Sequence, residues 1–408
     1  MNLIEACKTG NLEEVKRLVE ELGADVRDEE ALKKAAENGY LEIIKYLVNK
    51  GANIHAKNEY AFRRAAENGH LEVVKYLVEQ GADIHAKDEY AIDYAVENGH
   101  LEVVKYLVEK GVNIKNEWLV QYAAKNGHLE VLKFLVGKGA NIHAGGDRAL
   151  IYACRKGHLD VVKYLVEQGA DVHTYGNEVL RWAADEDRLE VVKYLVEEVG
   201  VDVDKSEALV QAAENGHLEV VRYLIEKGIR LAVKNKALRH AVQFNQVEVV
   251  DYLIKQGANM AVRNHYALVW AAHFGYLETV ECLLRNGEDV NAAQGTALVK
   301  AVKNRKEDMV AFLLEKGAVA NNDALKVAVK LKDSAIIKLL VEKGADAKKV
   351  DIEEVLTHRP YLNVVHTLWD SLPKEALIQY LLSSNTRLRK VAKRYLKRRE
   401  RNESNRSL

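Results

Sequence analysis

Proline is almost missing from this chain of 408 residues. Pro360 and Pro373 are the only two, and both lie beyond residue 350. Cysteine is nearly as scarce. Cys7, Cys154 and Cys282 follow no metal or disulfide spacing, which fits a reducing compartment with each thiol serving as a small core residue. Net charge is −1 although 30% of residues are charged, so no global field draws the chain to nucleic acid or membrane. No apolar run approaches the ~20 residues that span a bilayer. The start, Met1-Asn2-Leu3-Ile4-Glu5, lacks the basic-then-apolar pattern of a secretory leader. The expectation is a cytoplasmic protein without a membrane span, the nucleus being the alternative.

What the chain has in abundance is repetition. The phrase Glu67-Asn68-Gly69-His70-Leu71-Glu72-Val73-Val74-Lys75-Tyr76-Leu77-Val78 returns almost unchanged at 97–108, and close copies occupy 125–136, 156–166 and 214–225. Aligned on the leucine after Gly-His, the copies sit at Leu12, Leu41, Leu71, Leu101, Leu129, Leu159, Leu189, Leu218, Val247 and Leu277. A period of about thirty residues marks a stack of repeats, each touching only its neighbours. That architecture escapes the size limit on a single hydrophobic core.

Each copy reads as two helices. In the second, Leu71, Val74, Leu77 and Val78 recur at helical spacing while Glu72, Lys75 and Glu79 face water. Gly81 follows where a left-handed C-terminal residue is needed. The first helix is expected over 59–67, with Asn58 as its cap, Glu59 complementing its dipole and Ala65-Ala66 permitting close helix approach. Asn68-Gly69-His70 makes the turn between them.

This pattern resembles the ankyrin repeat. The resemblance rests on Ala-Ala-x-x-Gly-His-Leu-Glu-Val-Val-x-x-Leu and on Gly-Ala-Asp-Ile at 81–84 or Gly-Ala-Asn-Ile at 51–54 and 139–142. It implies an all-α ankyrin solenoid of about twelve units over 1–348, the first acting as an N-terminal cap, and protein–protein recognition as its function. The family's Thr-Pro-Leu-His start is missing, and each unit is about three residues short of the usual 33. The β-hairpin fingers should therefore be shortened. Short units with Lys-Tyr-Leu-Val second helices are similar to ankyrin proteins of giant DNA viruses of amoebae, which implies host cytoplasm as the setting.

Past Leu277 the anchor position becomes Glu307 and then Ser334, and Tyr361-Leu362-Asn363-Val364-Val365 reads as a last echo. Residues 349–400 are expected to hold a degenerate repeat and a helical pair, 372–382 and 388–399, closing the stack as a C-terminal cap. The first is apolar at Leu377, Ile378, Leu381 and Leu382; residues 401–408 read as a disordered tail. Arg387, Arg389, Lys390, Lys393, Arg394, Lys397, Arg398, Arg399 and Arg401 crowd this end, opposed there by Glu400. Such a face suits a nucleic acid or an acidic partner, or a solvated cap. Leu372-Pro373-Lys374-Glu375, Leu377, Leu381-Leu382 and Val391-Ala392-Lys393-Arg394 are also similar to a shortened F-box. That would imply recruitment of a cullin-type ubiquitin ligase; a HEAT-like pair fits the residues equally well.

Enzymatic chemistry finds no footing. No cysteine or serine lies beside a distinctive His/Asp pair, and no Gly-rich phosphate loop follows a strand. The repeated histidines, His70, His100, His128, His158 and His217 in the turns and His55, His85, His143 and His173 in the linkers, stand on rungs roughly 10 Å apart. No two can share a metal whose ligands lie about 2 Å away. Turn-bracing hydrogen bonds account for the first set. No metal, cofactor or catalytic residue is expected, and the protein should be a monomer.

Partner choice should lie where exposed positions depart from the common pattern. The pair after Ala-Ala is usually Glu-Asn but becomes Arg155-Lys156, Asp185-Glu186, Gln243-Phe244 and His273-Phe274. Phe244 and Phe274 on adjacent rungs, with Trp270 close by, should form an apolar patch on the concave side. A second aromatic stripe, Tyr94, Tyr122, Tyr152 and Trp182, reads as packing between repeats.

Overall fold

In a computed structural model of the chain, residues 1–350, 352 and 362–406 are described, and they contain helices and turns with no strand among them. The anticipated echo around Tyr361 lies partly outside the described residues. Two compact units divide the chain between Ala208 and Leu209.

The first unit is a stack of seven helix pairs, each an inner helix followed by an outer one. They are α1 (Leu3–Thr9) with α2 (Leu12–Glu20), α3 (Glu29–Glu37) with α4 (Leu41–Asn49), and α5 (Ala56–Glu67) with α6 (Leu71–Glu79). Next come α7 (Ala86–Glu97) with α8 (Leu101–Glu109), α9 (Glu117–Lys125) with α10 (Leu129–Gly137), α11 (Ala144–Lys156) with α12 (Leu159–Glu167), and α13 (Thr174–Asp185) with α14 (Leu189–Glu197). Each inner helix packs on the inner helix of the following pair, and the outer helices stack in the same order more loosely.

The second unit continues the pattern with α15 (Ala208–Asn215) and α16 (Leu218–Glu226), α17 (Leu231–Gln243) and α18 (Val247–Lys255), and α19 (Val262–Phe274) and α20 (Leu277–Arg285). Then come α21 (Ala292–Lys303) with α22 (Glu307–Glu315), and α23 (Asn322–Leu331) with α24 (Ser334–Glu342). After a 3-10 turn at Ala347–Lys349 the chain ends in α25 (Leu362–Asp370), the short α26 (Lys374–Ile378), a 3-10 turn Gln379–Leu382, and α27 (Thr386–Arg406).

The core is a repeated motif of small inner and branched outer side chains. Ala61, Phe62, Ala65 and Ala66 of α5 are buried, and alanine lets inner helices approach closely. In α6 the buried residues are Val73, Val74 and Leu77, each worth roughly 1.5–3 kcal/mol when removed from water. The seam therefore runs through Val73; Leu71 and Val78, expected on it, are half-buried, because each outer helix wedges between its own inner helix and the next outer one. Cys7, Cys154 and Cys282 are buried, and burial pushes the Cys7 thiol up to about 12.

The linkers correct the expected start of the inner helix. Lys57, Asn58 and Glu59 all have positive φ, from 49° to 60°, so Asn58 does not cap the helix. Lys87–Glu89 and Arg263–His265 repeat this left-handed turn. It replaces the missing finger: three left-handed residues reverse the chain within one turn. Each such residue costs about 1–2 kcal/mol when it carries a side chain. In α5 the side chain of Arg63 offsets part of this by donating to the Asn58 and Lys57 carbonyls at 2.8 and 3.0 Å. Gly145 and Gly146, and Gly295, occupy the same positions in their copies, where glycine carries no such penalty.

The C-terminal helices differ from expectation in two respects. The helix after Pro373 yields to a 3-10 turn at Gln379, which turns Ile378 and Leu382 outward to 48% and 85% exposure. The last helix runs to Arg406, into the stretch expected to be disordered, since residues 401–406 contain no glycine or proline to end it. Leu388, Ala392, Tyr395 and Leu396 form its buried face as anticipated. The Tyr395 hydroxyl donates to Asp370, and the Trp369 ring packs between Tyr380 and Tyr395 at 5.7 and 5.4 Å.

Candidate binding surface on the inner helices

The turn histidines are built into the stack and do not form a site. His70 Nε2 lies 3.0 Å from the Glu37 carbonyl, 33 residues earlier, and His100, His128 and His158 repeat the bond to Glu67, Glu97 and Lys125. The bond thus joins one rung to the preceding rung, where bracing of the local turn was expected. Each ring also occupies the space beside the previous turn's glycine. A Cβ on Gly69 would lie 2.4 Å from His100 Nδ1 and one on Gly99 2.5 Å from His128 Nδ1, and both glycines hold φ +78°. Burial lowers the pKa of His100, keeping it neutral for this role. The linker histidines instead meet acids of their own turn, as in His85 Nδ1 with Glu89 at 2.9 Å and His143 Nδ1 with Asp147 at 2.8 Å. No cluster of three metal-ligating side chains exists among the described residues.

The singled-out exposed positions fall into two groups, one in each unit. In the first unit Arg155 Nε pairs with Glu186 Oε1 at 2.8 Å, and its guanidinium lies 4.6 Å over the Trp182 ring. The hydrogen bond from Arg155 holds the Glu186 carboxyl below the usual range. Arg181 lies over the same indole at 4.6 Å. A shallow cleft of about 280 Å³ opens here between Arg148, Ile151, Tyr152, Arg155, Glu178 and Trp182. Lys156 is exposed and Asp185 half-buried. Two departures from the repeat pattern, Arg155 and Glu186, therefore answer each other across adjacent rungs.

In the second unit the rings gather on one helix. Trp270 lies 5.1 Å from Tyr266, 4.9 Å from Phe274 and 5.9 Å from His273, and Phe274 reaches Tyr276 at 5.7 Å. Phe274 is 39% exposed and Phe244 46%. Phe244 does not join the cluster, because no described ring stands against it; the expected two-rung patch is a one-rung ridge with Phe244 exposed separately on the preceding rung. The Trp270 indole nitrogen has no acceptor within the described chain.

Charge supplies what the repeat comparison missed. Arg239 and Arg263 stand near each other beside Tyr266, and burial and Arg263 together lower the Arg239 pKa. On the other side Lys300, Lys303 and Lys306, after burial, depress the pKa of His273, whose Nδ1 accepts from Asn304 at 2.8 Å. A count of charges helix by helix, in place of a search for unusual residue pairs, would have found this in the sequence.

The basic residues of α27 lie outward. Arg389, Lys390, Lys393, Arg394, Lys397 and Arg398 are all exposed, and none forms an ion pair with a described residue. Glu400 pairs with Lys374 at 2.8 Å, and Arg399 donates to the Leu372 carbonyl at 2.8 Å.

Comparison with known proteins returns one family. Its model for ankyrin repeats in three copies matches residues 56–117, 120–207, 180–264 and 268–351, and its model for ankyrin repeats in many copies matches 32–78. No curated protein matches. Among solved structures, the crystal structure of the human ASB11 ankyrin repeat domain is similar at 25% identity, over 47% of this chain and 96% of that one, with a TM-score of 0.42. No helix of the described residues is long and apolar enough to cross a membrane. Matched over well more than half its length, the chain belongs to the ankyrin-repeat family.

Proposed function

We propose that this protein is a non-enzymatic scaffold that holds a protein partner on the inner-helix, concave face of its array, with the contact centred on Phe244, Trp270, His273 and Phe274. The observation that carries the reading is the ridge on α19, where Trp270 contacts Tyr266, His273 and Phe274, and Phe274 stands 39% exposed at a position held by Asn38, Asn68, Asn98 and Asn215 in other copies. Exposed clustered aromatics concentrate binding energy because they bury much surface at little entropic cost. Arg155, Lys156, Asp185 and Glu186 are a second, polar set of contact residues within the first unit. Replacing Phe244 and Phe274 with alanine should weaken partner capture at least about tenfold while leaving the melting temperature nearly unchanged. A large loss of stability with unchanged capture would make them core residues and remove the reading.

A second reading attaches to α27, whose outward cations lack carboxylate partners among the described residues. It would hold a polyanion such as nucleic acid. Retardation of a nucleic acid that weakens steeply between two salt concentrations, and vanishes with Lys393, Arg394, Lys397 and Arg398 changed to glutamine, would support it. Retardation independent of salt would end it.

A further inference from the structure

Past α15 the inner helices of the second unit carry charge almost wholly of one sign. From α17 through α23 they hold eight lysines and arginines and a single acid, Asp323. The outer helices among them, α18, α20 and α22, run the other way, with seven acids against Lys255 and Arg285. Charge is thus sorted between the two layers of the stack.

The sorting centres on the aromatic ridge. Arg239 and Arg263 lie within electrostatic reach of Tyr266 at one end, and Lys300, Lys303 and Lys306 of His273 at the other, with the Lys306 chain lying over Gly275 beside Phe274. None of these five cations forms an ion pair with a described residue. Like charges held together repel and lower stability unless an outside charge answers them. The ridge is therefore an apolar strip bracketed by two groups of cations that the fold itself does not neutralise.

The way the rings use their faces decides what kind of anion fits. Trp270 stacks on Tyr266 with 25° between planes and is covered again by Phe274 and His273. Single-stranded nucleic acid needs open ring faces on which bases can lie. Here the faces are spent on one another, Phe274 itself stacking on Tyr276, and ring edges with the exposed part of Phe274 are what remain. Those suit an aliphatic or aromatic side chain approaching from above.

We propose that this face takes an acidic segment of a protein partner, with one large apolar side chain seated on Trp270 and Phe274 and carboxylates reaching the cations on both sides. The proposal rests on the scaffold reading and adds the chemistry of the ligand. It explains why the rings and the unpaired cations occupy the same three rungs.

The test is selection of random peptides of about twelve residues, long enough to cross three rungs at roughly 10 Å each, on the full-length protein. Recovered peptides should be rich in Asp and Glu around one Phe, Trp or Leu. Their affinity should fall at least about tenfold on Lys300→Glu with Lys303→Glu, and about threefold on the milder Lys300→Gln with Lys303→Gln if the reversal disturbs the fold. The equal charge change Lys75→Glu with Lys105→Glu, on outer helices of the first unit, should leave it alone. Peptides of neutral or basic composition that still depend on Phe274 would overturn this inference and leave the scaffold reading standing. Failure to recover any peptide whose binding depends on Phe244 or Phe274 would remove both. Displacement of the peptide by an oligothymidine at lower concentration would assign the face to nucleic acid instead.

Discussion

In the first unit Arg155 reaches Glu186 and Arg64 reaches Glu67, both at 2.8 Å, whereas in the second Arg239, Arg263, Lys300 and Lys303 reach no carboxylate among the described residues. The turns differ in parallel. The first unit seals rung to rung with a histidine ladder over glycine; in the second Gln246 makes the equivalent bond to Glu214 at 3.0 Å, and Lys306 lies over Gly275. The lesson is that one scaffold tolerates two surface policies. At Arg64 and Arg155, where the copies are more regular, the charge is satisfied within the array. Where it drifts, the buried alanine and valine positions persist while Arg239, Arg263, Lys300 and Lys303 stand without an answering carboxylate among the described residues, although other surface pairs such as Lys255–Asp251 and Arg305–Asp333 remain.

The largest effect should come from the turns. Gly99→Ala puts a methyl against the His128 ring at a φ that alanine avoids, and we expect a loss of about 2–4 kcal/mol in urea unfolding. Gly275→Ala meets only the flexible Lys306 chain at 3.1 Å and should lose about 1–2 kcal/mol, chiefly from its positive φ. Equal losses at the two sites would break the comparison between a rigid ladder and its looser counterpart.

Asp93 gives the next effect. Burial, with Glu89 and Glu97 nearby, raises its carboxyl to about 6 from 3.8. A raised carboxyl pKa means that the folded state holds the proton more tightly, so stability falls as pH rises from 3.8 through 6. Asp93→Asn should therefore raise stability at pH 7 by about 1–2 kcal/mol, with the gain fading below pH 6 in parallel melts. A gain independent of pH would show that ionisation is not the cause.

His100 has the opposite sign. Its lowered pKa disfavours protonation in the fold, so its contribution is present above 6.5 and lost as pH falls through the folded value. His100→Gln copies the arrangement of Gln246. It should change stability at pH 7 by less than about 1 kcal/mol while flattening the acid limb of the curve. An unchanged acid limb would refute this assignment.

The smallest effect is expected at the compensated pair. Both partners of Arg155–Glu186 are partly open to solvent, so Arg155→Ala should cost no more than about 1 kcal/mol and reduce peptide binding little compared with Lys300→Glu. A binding loss equal to that at Lys300 would erase the distinction between the two surfaces.

Much of this was legible before any coordinates. The outer helices begin at Leu71, Leu101 and Leu129, and even at Glu307 and Ser334, where the alignment placed them, because helical periodicity and the Gly-His turn act over a few residues. The left-handed turn at Lys57–Glu59 was not legible: Asn58 before Glu59 is a sound capping pattern, overridden by the need to reverse the chain in a short linker. Phe244 and Phe274 were found as exposed rings, but the cations that bracket the ridge were not, since Arg239 and Lys300 are far apart in the chain and ordinary residues taken singly.

The amino-acid sequence alone determined the period, the pairing of helices and the alanine-and-valine seam, because each depends on local conformational preference repeated in identical surroundings. Tertiary structure alone decided that His70 bonds a carbonyl 33 residues back and which side chains answer one another. It decided too that Trp270 spends its faces on neighbouring rings. Those outcomes depend on which atoms of adjacent rungs come within about 3–5 Å, and spacing along a chain does not encode that distance.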